Sequence, residues 1–96
     1  MYTVYILRCG DDSLYTGLTT NIVRRLAEHA GAGPKAARYT RRRQPVELAW
    51  QSAPLPDRSS ATSLEKRIQN MTRRQKLLWI AQNPELAPEQ PNQAES

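Results

Sequence analysis

The first 29 residues contain the feature that most restricts the fold of this 96-residue chain. Two segments rich in β-forming residues, 2–9 and 14–18, flank a polar turn at 10–13, a pattern that predicts a β-hairpin. A helical pattern follows directly and places Arg25 and His29 one turn apart on the same side. Strand, turn, strand and helix of this length can bring two tyrosines, an arginine and a histidine to one place.

The length of the hairpin loop decides which side of the sheet each tyrosine faces. Alternate residues of a strand share a side, so a two-residue loop would put Tyr5 and Tyr15 on opposite faces. A three-residue loop puts both tyrosines on the same face, and hairpins with such loops are common. We therefore expect a three-residue loop if Tyr5 and Tyr15 contribute to one site.

The whole pattern predicts a small α/β (α+β) domain in which helices flank a three-stranded antiparallel sheet, in the order ββαβαα. Segment 2–9 is mostly apolar on both faces and should form a central strand. Thr20 or Asn21 should cap the first helix, and one apolar stripe of that helix should be buried. The stripe consists of Ile22, Val23, Leu26, Ala27 and Ala30.

One strand and two helices are expected after residue 44. In the strand that follows Pro45, the alternation predicts that Val46, Leu48 and Trp50 point inward and that Glu47, Ala49 and Gln51 point outward. A helix at about 59–71 should bury Ala61, Leu64, Ile68 and Met71. Segment 72–75 has the pattern of a capping box, and it should open a last helix through about Gln82.

Charge is distributed unevenly along the chain. Residues 1–83 contain all 14 Lys and Arg residues but only six of the nine acidic ones, which gives a net charge of +8, whereas residues 84–96 carry −3. A small domain at +8 suggests a polyanionic partner, most simply nucleic acid. A basic surface kept for solubility is the alternative. Residues 84–96 contain three prolines and few apolar groups, so we expect a disordered tail after a domain at 1–83.

The expected compartment is the cytoplasm. Cys9 is the only cysteine, so no intrachain disulfide can form, and a buried apolar role is expected for it. No apolar run approaches the roughly 20 residues of a membrane helix, and the N-terminus lacks the pattern of a signal peptide.

The hairpin and first helix resemble the GIY-YIG nuclease family, most closely its small stand-alone bacterial members of the YhbQ-like type. The two family motifs correspond to Thr3-Val4-Tyr5 and Tyr15-Thr16-Gly17, and Arg25 follows ten residues after the second tyrosine. His29, segment 37–40 and Glu65 continue the resemblance, which covers roughly residues 2–82. Thr3 and Thr16 stand where the family has glycine and isoleucine, at positions that carry no chemistry.

The resemblance implies a metal-dependent endonuclease that hydrolyses phosphodiester bonds in DNA, with a role in DNA repair. Tyr5 or Tyr15 would be the general base, and Arg25 would contact the scissile phosphate. His29 would shuttle a proton or contact phosphate. Glu65 would be the single carboxylate that binds Mg²⁺ or Mn²⁺.

Each of these residues also has a purely structural interpretation. Tyr5 and Tyr15 could be core aromatics, Arg25 an exposed helix arginine, and His29 a histidine hydrogen-bonded to the following loop. Glu65 could complete a capping box that begins at Thr62. The family's late asparagine has no clear counterpart, although Lys76 could replace it in part.

Ten further side chains are candidates for nucleic-acid contacts. Connector 35–43 interleaves a tyrosine with cations, which suits phosphate contacts and base stacking, although a solvated loop has the same composition. The candidates are Arg24, Lys35, Arg38, Tyr39, Arg41, Arg42, Arg43, Arg73, Arg74 and Lys76. The expected partner is DNA, or RNA, without a membrane, and the expected state is a monomer or weak dimer.

Two functions compete with the endonuclease. One is a nucleic-acid-binding module of the same fold with little or no catalytic turnover. The other is a protein-interaction adaptor on which the basic charge is incidental. DNA binding that is insensitive to salt would favour the adaptor.

Truncation after Asn83 should leave the fold intact, because residues 84–96 offer almost no apolar area to bury. The truncated protein should therefore melt close to the full chain in a thermal scan. A large fall in melting temperature would show that the tail packs on the domain.

Overall fold

The fold is taken from a computed structural model of the chain, which describes residues 1–30 and 42–83. The strands β1, β2 and β3 span Thr3–Cys9, Leu14–Thr19 and Val46–Gln51. In the chain, helix α1 (Ile22–Ala30) follows β2 and precedes β3. The helices α2 (Arg58–Gln69) and α3 (Arg73–Gln82) come after β3. The strands form one antiparallel sheet in the order β2-β1-β3. The predicted fold class and the element order ββαβαα are confirmed.

Strand β1 is the central strand, as its composition predicts. Val4 and Ile6 point to one face of the sheet, where α2 and α3 pack, and Tyr5 and Leu7 point to the other face. All four side chains are almost completely buried. Each aliphatic side chain removed from water in this way contributes roughly 1.5–3 kcal/mol to stability.

The main apolar core lies between the sheet and helices α2 and α3. Trp50 anchors it, with its ring edge-to-face against Trp79 and its Nε1–H donating to the Asn83 carbonyl at 3.1 Å. The predicted inward residues of 59–71 are confirmed, since Ala61 and Ile68 are buried and Leu64 and Met71 pack against the core, although α2 ends at Gln69, before Met71. The buried members are Val4, Ile6, Leu14, Trp50, Ala61 and Ile68.

The hairpin has the predicted three-residue loop. Arg8 is paired with Leu14, the Cys9 amide donates to the Ser13 carbonyl at 2.9 Å, and residues 10–12 form the connection. The Asp12 amide donates to the Cys9 carbonyl at 2.8 Å, and Asp12 itself has φ of 72°. This is the common three-residue geometry, in which a turn is followed by one left-handed residue. Cys9 is buried, as predicted.

The prediction for β3 is wrong at one point, because the strand contains a bulge. Ile6 pairs with Trp50 but Leu7 pairs with Leu48, so Ala49 is an extra residue without a partner on β1. A bulge reverses the side to which the following residues point. Val46 and Leu48 therefore lie on the α1 side of the sheet, whereas Trp50 lies in the main core.

The predicted buried stripe of α1 is wrong for three of its five residues. Val23 is 76% exposed, and Ala27 and Ala30 are exposed as well. The most deeply buried residue of the helix is His29, with Ile22, Arg25 and Leu26 half-buried beside it. The helix is rotated toward its polar flank because His29 finds a hydrogen-bond partner on the sheet, as described below. The predicted cap is confirmed, since the Arg24 amide donates to the Asn21 side chain at 3.0 Å.

Helix α2 begins one residue before its predicted start, and Asp57 caps it by accepting from the Ser60 amide at 2.7 Å. Thr62 therefore lies inside the helix, so Glu65 does not belong to a capping box. Helix α3 opens with the predicted capping box, in which Thr72 and Gln75 each accept from the other's amide.

Gly17 is directly opposite Tyr5 in the hairpin, and the Tyr5 ring leans across it. A methyl group on Gly17 would overlap the phenol end of that ring. An aromatic side chain therefore occupies the space beside Gly17, within the strand.

Gly17→Ala should destabilise the protein by about 1–3 kcal/mol, because the Tyr5 ring must leave its position. Denaturant unfolding measures this loss. The same substitution in a Tyr5→Ala background should cost much less, since no ring remains to collide with the new methyl group. Equal costs in the two backgrounds would contradict the steric explanation.

Candidate active site

Both tyrosines and the histidine meet on the α1 face of the sheet. The Tyr5 hydroxyl and His29 Nε2 are 2.9 Å apart, and the two rings lie edge-to-face at 5.7 Å. The Tyr15 ring lies 5.2 Å from the His29 ring on the same face. The prediction that Tyr5 and Tyr15 share a face is confirmed.

Arg25 lies between this cluster and the solvent. Its guanidinium lies within hydrogen-bonding reach of the Tyr5 hydroxyl, and its Nη1 donates to Glu28 Oε1 at 2.8 Å. Arg24 lies on the other side of the same carboxylate, with 3.8 Å between its Nε and Glu28 Oε2. The expected proximity of Arg25 to the tyrosines is confirmed, and Glu28 orients the arginine.

Burial controls the protonation of the Tyr5–His29 pair. It raises the pKa of Tyr5 to about 12, although the hydrogen bond from Arg25 opposes the shift. Burial, and secondarily the positive charge of Arg25, lowers the pKa of His29 to about 4. At neutral pH the phenol is therefore protonated and the imidazole is neutral.

A cleft of about 470 Å³ opens beside the cluster, between α1, the end of β2 and α2. Arg25 lines one wall, and Arg58 and Glu65 come from α2. The full lining is Tyr2, Leu18, Thr19, Thr20, Arg24, Arg25, Glu28, Arg58 and Glu65. Three guanidinium groups and two carboxylates thus share one open, polar space.

Glu65 lies in the middle of α2 and is half-buried. Burial raises the pKa of its carboxyl group, against the opposing charges of Lys66 and Arg58. Its Oε2 accepts from Gln69 Nε2 at 3.3 Å, and among the described residues it forms no ion pair. The negative charge of Glu65 is close enough to Tyr5 to help raise the pKa of its phenol.

The other basic candidates lie elsewhere on the described surface. Arg43 contacts Asp11 at 2.9 Å and Arg73 contacts Asp12 at 3.5 Å, so both lie against the hairpin turn. Arg42 and Arg74 are exposed. Lys76 lines a different cleft, away from Glu65. Lys35, Arg38, Tyr39 and Arg41 lie outside the described residues.

Two cleft residues, Arg58 and Glu28, were not recognised from the sequence. Arg58 stands at the first position of α2, where a cation is unfavourable next to the positive end of the helix dipole. That placement was an available signal, because an unfavourable charge often marks an anion site. Glu28 gave no comparable signal, since i, i+3 and i, i+4 pairs are frequent on ordinary helices.

The family follows from the match of residues 1–77 to the GIY-YIG catalytic domain. The chain belongs to the GIY-YIG family. Among similar proteins, a UPF0213 protein of Syntrophus aciditrophicus is 45% identical over 82 residues, which cover 85% of this chain and 92% of that protein. A UPF0213 protein of Staphylococcus haemolyticus is 47% identical over 77 residues, covering 80% and 90% of the two chains.

A solved structure shows the same fold. The solution NMR structure of a UPF0213 protein from Bacillus halodurans matches with a TM-score of 0.55 and 38% identity over 86% of each chain. The predicted resemblance to small stand-alone members of the GIY-YIG family is confirmed. Among residues 1–30 and 42–83, no helix combines the length and apolarity that a membrane crossing needs.

Acidification should destabilise the protein through His29. Between its ordinary pKa of 6.5 and its folded value of about 4, the unfolded chain binds a proton at His29 that the folded protein does not. The free energy of unfolding should therefore be unaffected by His29 above pH 6.5, and should fall by up to about 3 kcal/mol as pH drops to 4.

His29→Gln retains a hydrogen-bonding group but cannot titrate, and is the control. Urea unfolding at several pH values should show a difference between wild type and variant that changes between pH 6.5 and 4. Contributions from Asp11 and Asp57 cancel in that difference. A difference that is constant over this range would mean that His29 titrates normally in the folded protein.

Proposed function

We propose that this member of the GIY-YIG family is a metal-dependent endonuclease that hydrolyses phosphodiester bonds in DNA. One observation carries the proposal: Arg25 contacts the Tyr5–His29 pair and also lines the cleft that contains Glu65. Groups for proton transfer, phosphate binding and cation binding therefore adjoin one another. Such an arrangement is characteristic of hydrolysis at phosphorus.

Arg25, Arg24 and Arg58 would bind the scissile phosphate and its neighbours. A guanidinium matches two phosphate oxygens with two N–H donors, and its charge persists at every working pH. Arg25 would remain beside the phosphorus as charge develops on the equatorial oxygens, stabilising the transition state. Glu28 would keep its guanidinium in place, since it contacts Nη1 and leaves other donors of the group for the substrate.

Tyr5 and His29 would accept the proton from the attacking water. Because its pKa is raised, Tyr5 keeps its proton at neutral pH, so it can take a proton on its oxygen only while passing its own proton to His29 Nε2. This transfer requires a neutral imidazole with its other proton on Nδ1. Burial keeps the imidazole neutral but also makes it a poor proton acceptor, so the transfer would need the site to open when DNA binds. The Tyr15 ring, which β2 holds next to His29, would limit the movement of the imidazole ring.

Glu65 would hold the divalent cation, Mg²⁺ or Mn²⁺. The described residues contain no group of three His, Cys, Asp or Glu side chains that could enclose a metal. A single unpaired carboxylate in a polar cleft does fit Mg²⁺, which keeps several waters and binds substrate phosphate oxygens. When bound, the ion would offset negative charge at phosphorus and lower the pKa of water.

A binding module with little turnover is the second candidate, and the burial of the proton-transfer pair favours it. Tyr5 is 1% exposed and His29 is 0% exposed. Catalysis needs water to reach the Tyr5 oxygen, whereas binding needs only the arginines. DNA must therefore open this site for the endonuclease, but not for the module.

Glu65→Gln should abolish metal-dependent cleavage while leaving the fold unchanged. The substitution removes the charge that holds the cation, and Glu65 has no capping role whose loss could destabilise α2. Cleavage of plasmid and branched DNA with Mg²⁺ or Mn²⁺ should fall by about two orders of magnitude or more, whereas the melting temperature and DNA affinity should be maintained.

Glu47→Gln is the matched control, because Glu47 is exposed on β3 and the charge change is the same. It should cleave as the wild type does. Cleavage by Glu65→Gln at the wild-type rate, in preparations free of contaminating nuclease, would exclude the metal role. If wild type binds DNA but never cleaves it, the binding module is the better description.

Tyr5→Phe and Tyr15→Phe separate the two tyrosines. Loss of the Tyr5 hydroxyl should lower the cleavage rate about 10²–10⁴-fold, the usual range for a general base, whereas Tyr15→Phe should have a smaller effect. Tyr5→Phe also leaves His29 Nε2 without its partner, at a cost of about 1–3 kcal/mol. Rates should therefore be measured well below the melting temperature of each variant. The reverse ranking would assign the base to Tyr15.

A further inference from the structure

A second cleft, of about 200 Å³, lies at the other end of β2, next to the hairpin turn. Its lining consists of Ser13, Leu14, Met71, Arg73 and Lys76. Leu14 lines this cleft and Thr19 lines the first, and the two residues delimit strand β2. Five residues of extended strand place the two clefts roughly 17 Å apart along the sheet edge.

Lys76 is the unusual residue of this second cleft. It is only 9% exposed, and burial lowers the pKa of its amine. Among the described residues it forms no hydrogen bond or ion pair through its side chain. The buried part of Lys76 is its stem, whereas the amine keeps access to the cleft, where no acidic side chain among the described residues pairs with its charge.

The position of Lys76 in α3 adds a second, independent anomaly. Arg73, Arg74 and Lys76 all lie in or next to the first turn of this helix, and that turn contains no acidic residue. The helix dipole places positive potential at the same end of α3. The three cations are therefore repelled by this end of the helix and by one another. Both anomalies are relieved by an anion in the cleft.

Arg73 has donors to spare for such an anion. Its Nε donates to the Asp12 carbonyl at 3.1 Å and one Nη lies 3.5 Å from the Asp12 carboxylate. A guanidinium has five N–H donors, so these contacts leave others available. They also hold the arginine at the mouth of the cleft, one helical turn from Lys76.

We propose that this second cleft binds a phosphodiester group of the nucleic-acid backbone, with Lys76 and Arg73 as its cationic ligands. The proposal rests on the nucleic-acid partner of the proposed function and adds the path of that partner. A separation of roughly 17 Å corresponds to about five nucleotides along a duplex axis. The substrate therefore runs in the direction of β2, from the scissile position beside Arg25 to Lys76.

A purely structural role for Lys76 makes a different prediction. Its aliphatic stem could cover Leu14 and Met71 while the amine reaches water at the mouth of the cleft. Lys76→Met tests the two interpretations, because methionine keeps an unbranched apolar chain and loses only the amine. Lys66→Met is the control, since Lys66 is exposed on α2 and the charge change is the same.

The first measurement is titration with inorganic phosphate, without metal, followed by NMR at the amides of Ser13 and Leu14. Saturable shifts are expected in wild type and in Lys66→Met, and their loss is expected in Lys76→Met. The variant should melt close to the wild-type temperature, because methionine keeps the buried apolar stem. Absence of saturable shifts in wild type, or their persistence in Lys76→Met, would overturn the proposal.

The second measurement uses duplex DNA in EDTA. The slope of log K against log salt should become shallower by about 0.9 in Lys76→Met, the value for one phosphate contact, and should change less in Lys66→Met. Equal changes in the two variants would indicate a general effect of charge and would also overturn the proposal. Neither measurement depends on cleavage, so a failure of the endonuclease proposal in the Glu65 experiment remains a separate result.

Discussion

The hydrogen bond between the Tyr5 hydroxyl and His29 determines how the rest of the site is arranged. Both groups are buried, and removal of either would break a buried hydrogen bond between β1 and α1, so this bond helps to fix the two elements relative to each other. Fixing His29 against the sheet sets the rotation of α1. That rotation turns Arg25 toward the cleft and leaves Val23 in solvent.

The two carboxylates of the cleft beside this bond lie on different helices and have different partners. Glu28 pairs with Arg25 and Arg24 on α1, whereas Glu65 on α2 has no ion pair among the described residues. One carboxylate therefore orients two arginines, whereas the other accepts a hydrogen bond from Gln69. Two residues of the same type obtain different roles from the side chains within reach of each.

The sequence was sufficient for the element order, the hairpin loop and the capping box of α3, because turn residues, strand alternation and cap patterns are local signals. It was insufficient for α1 and β3. A buried histidine with a hydrogen-bond partner has no hydrophobic periodicity, so the stripe was assigned to Val23 and its apolar neighbours. The bulge at Ala49 depends on pairing with a distant strand. Likewise, Glu65 fitted two local patterns, and only the start of α2 at Arg58 excluded the capping box.

The bulge in β3 has a consequence for how this chain can vary in length. The strand contributes side chains to both layers of the domain, with Leu48 on the α1 side and Trp50 in the main core. The extra residue Ala49 is what places these two side chains on opposite faces of the sheet. Deleting one residue at Ala49 would point the Trp50 indole to the α1 side of the sheet. Inserting one residue would likewise reverse the face to which the following residues point. An insertion or deletion within this short strand should therefore destabilise the protein more than the replacement of one of its exposed side chains.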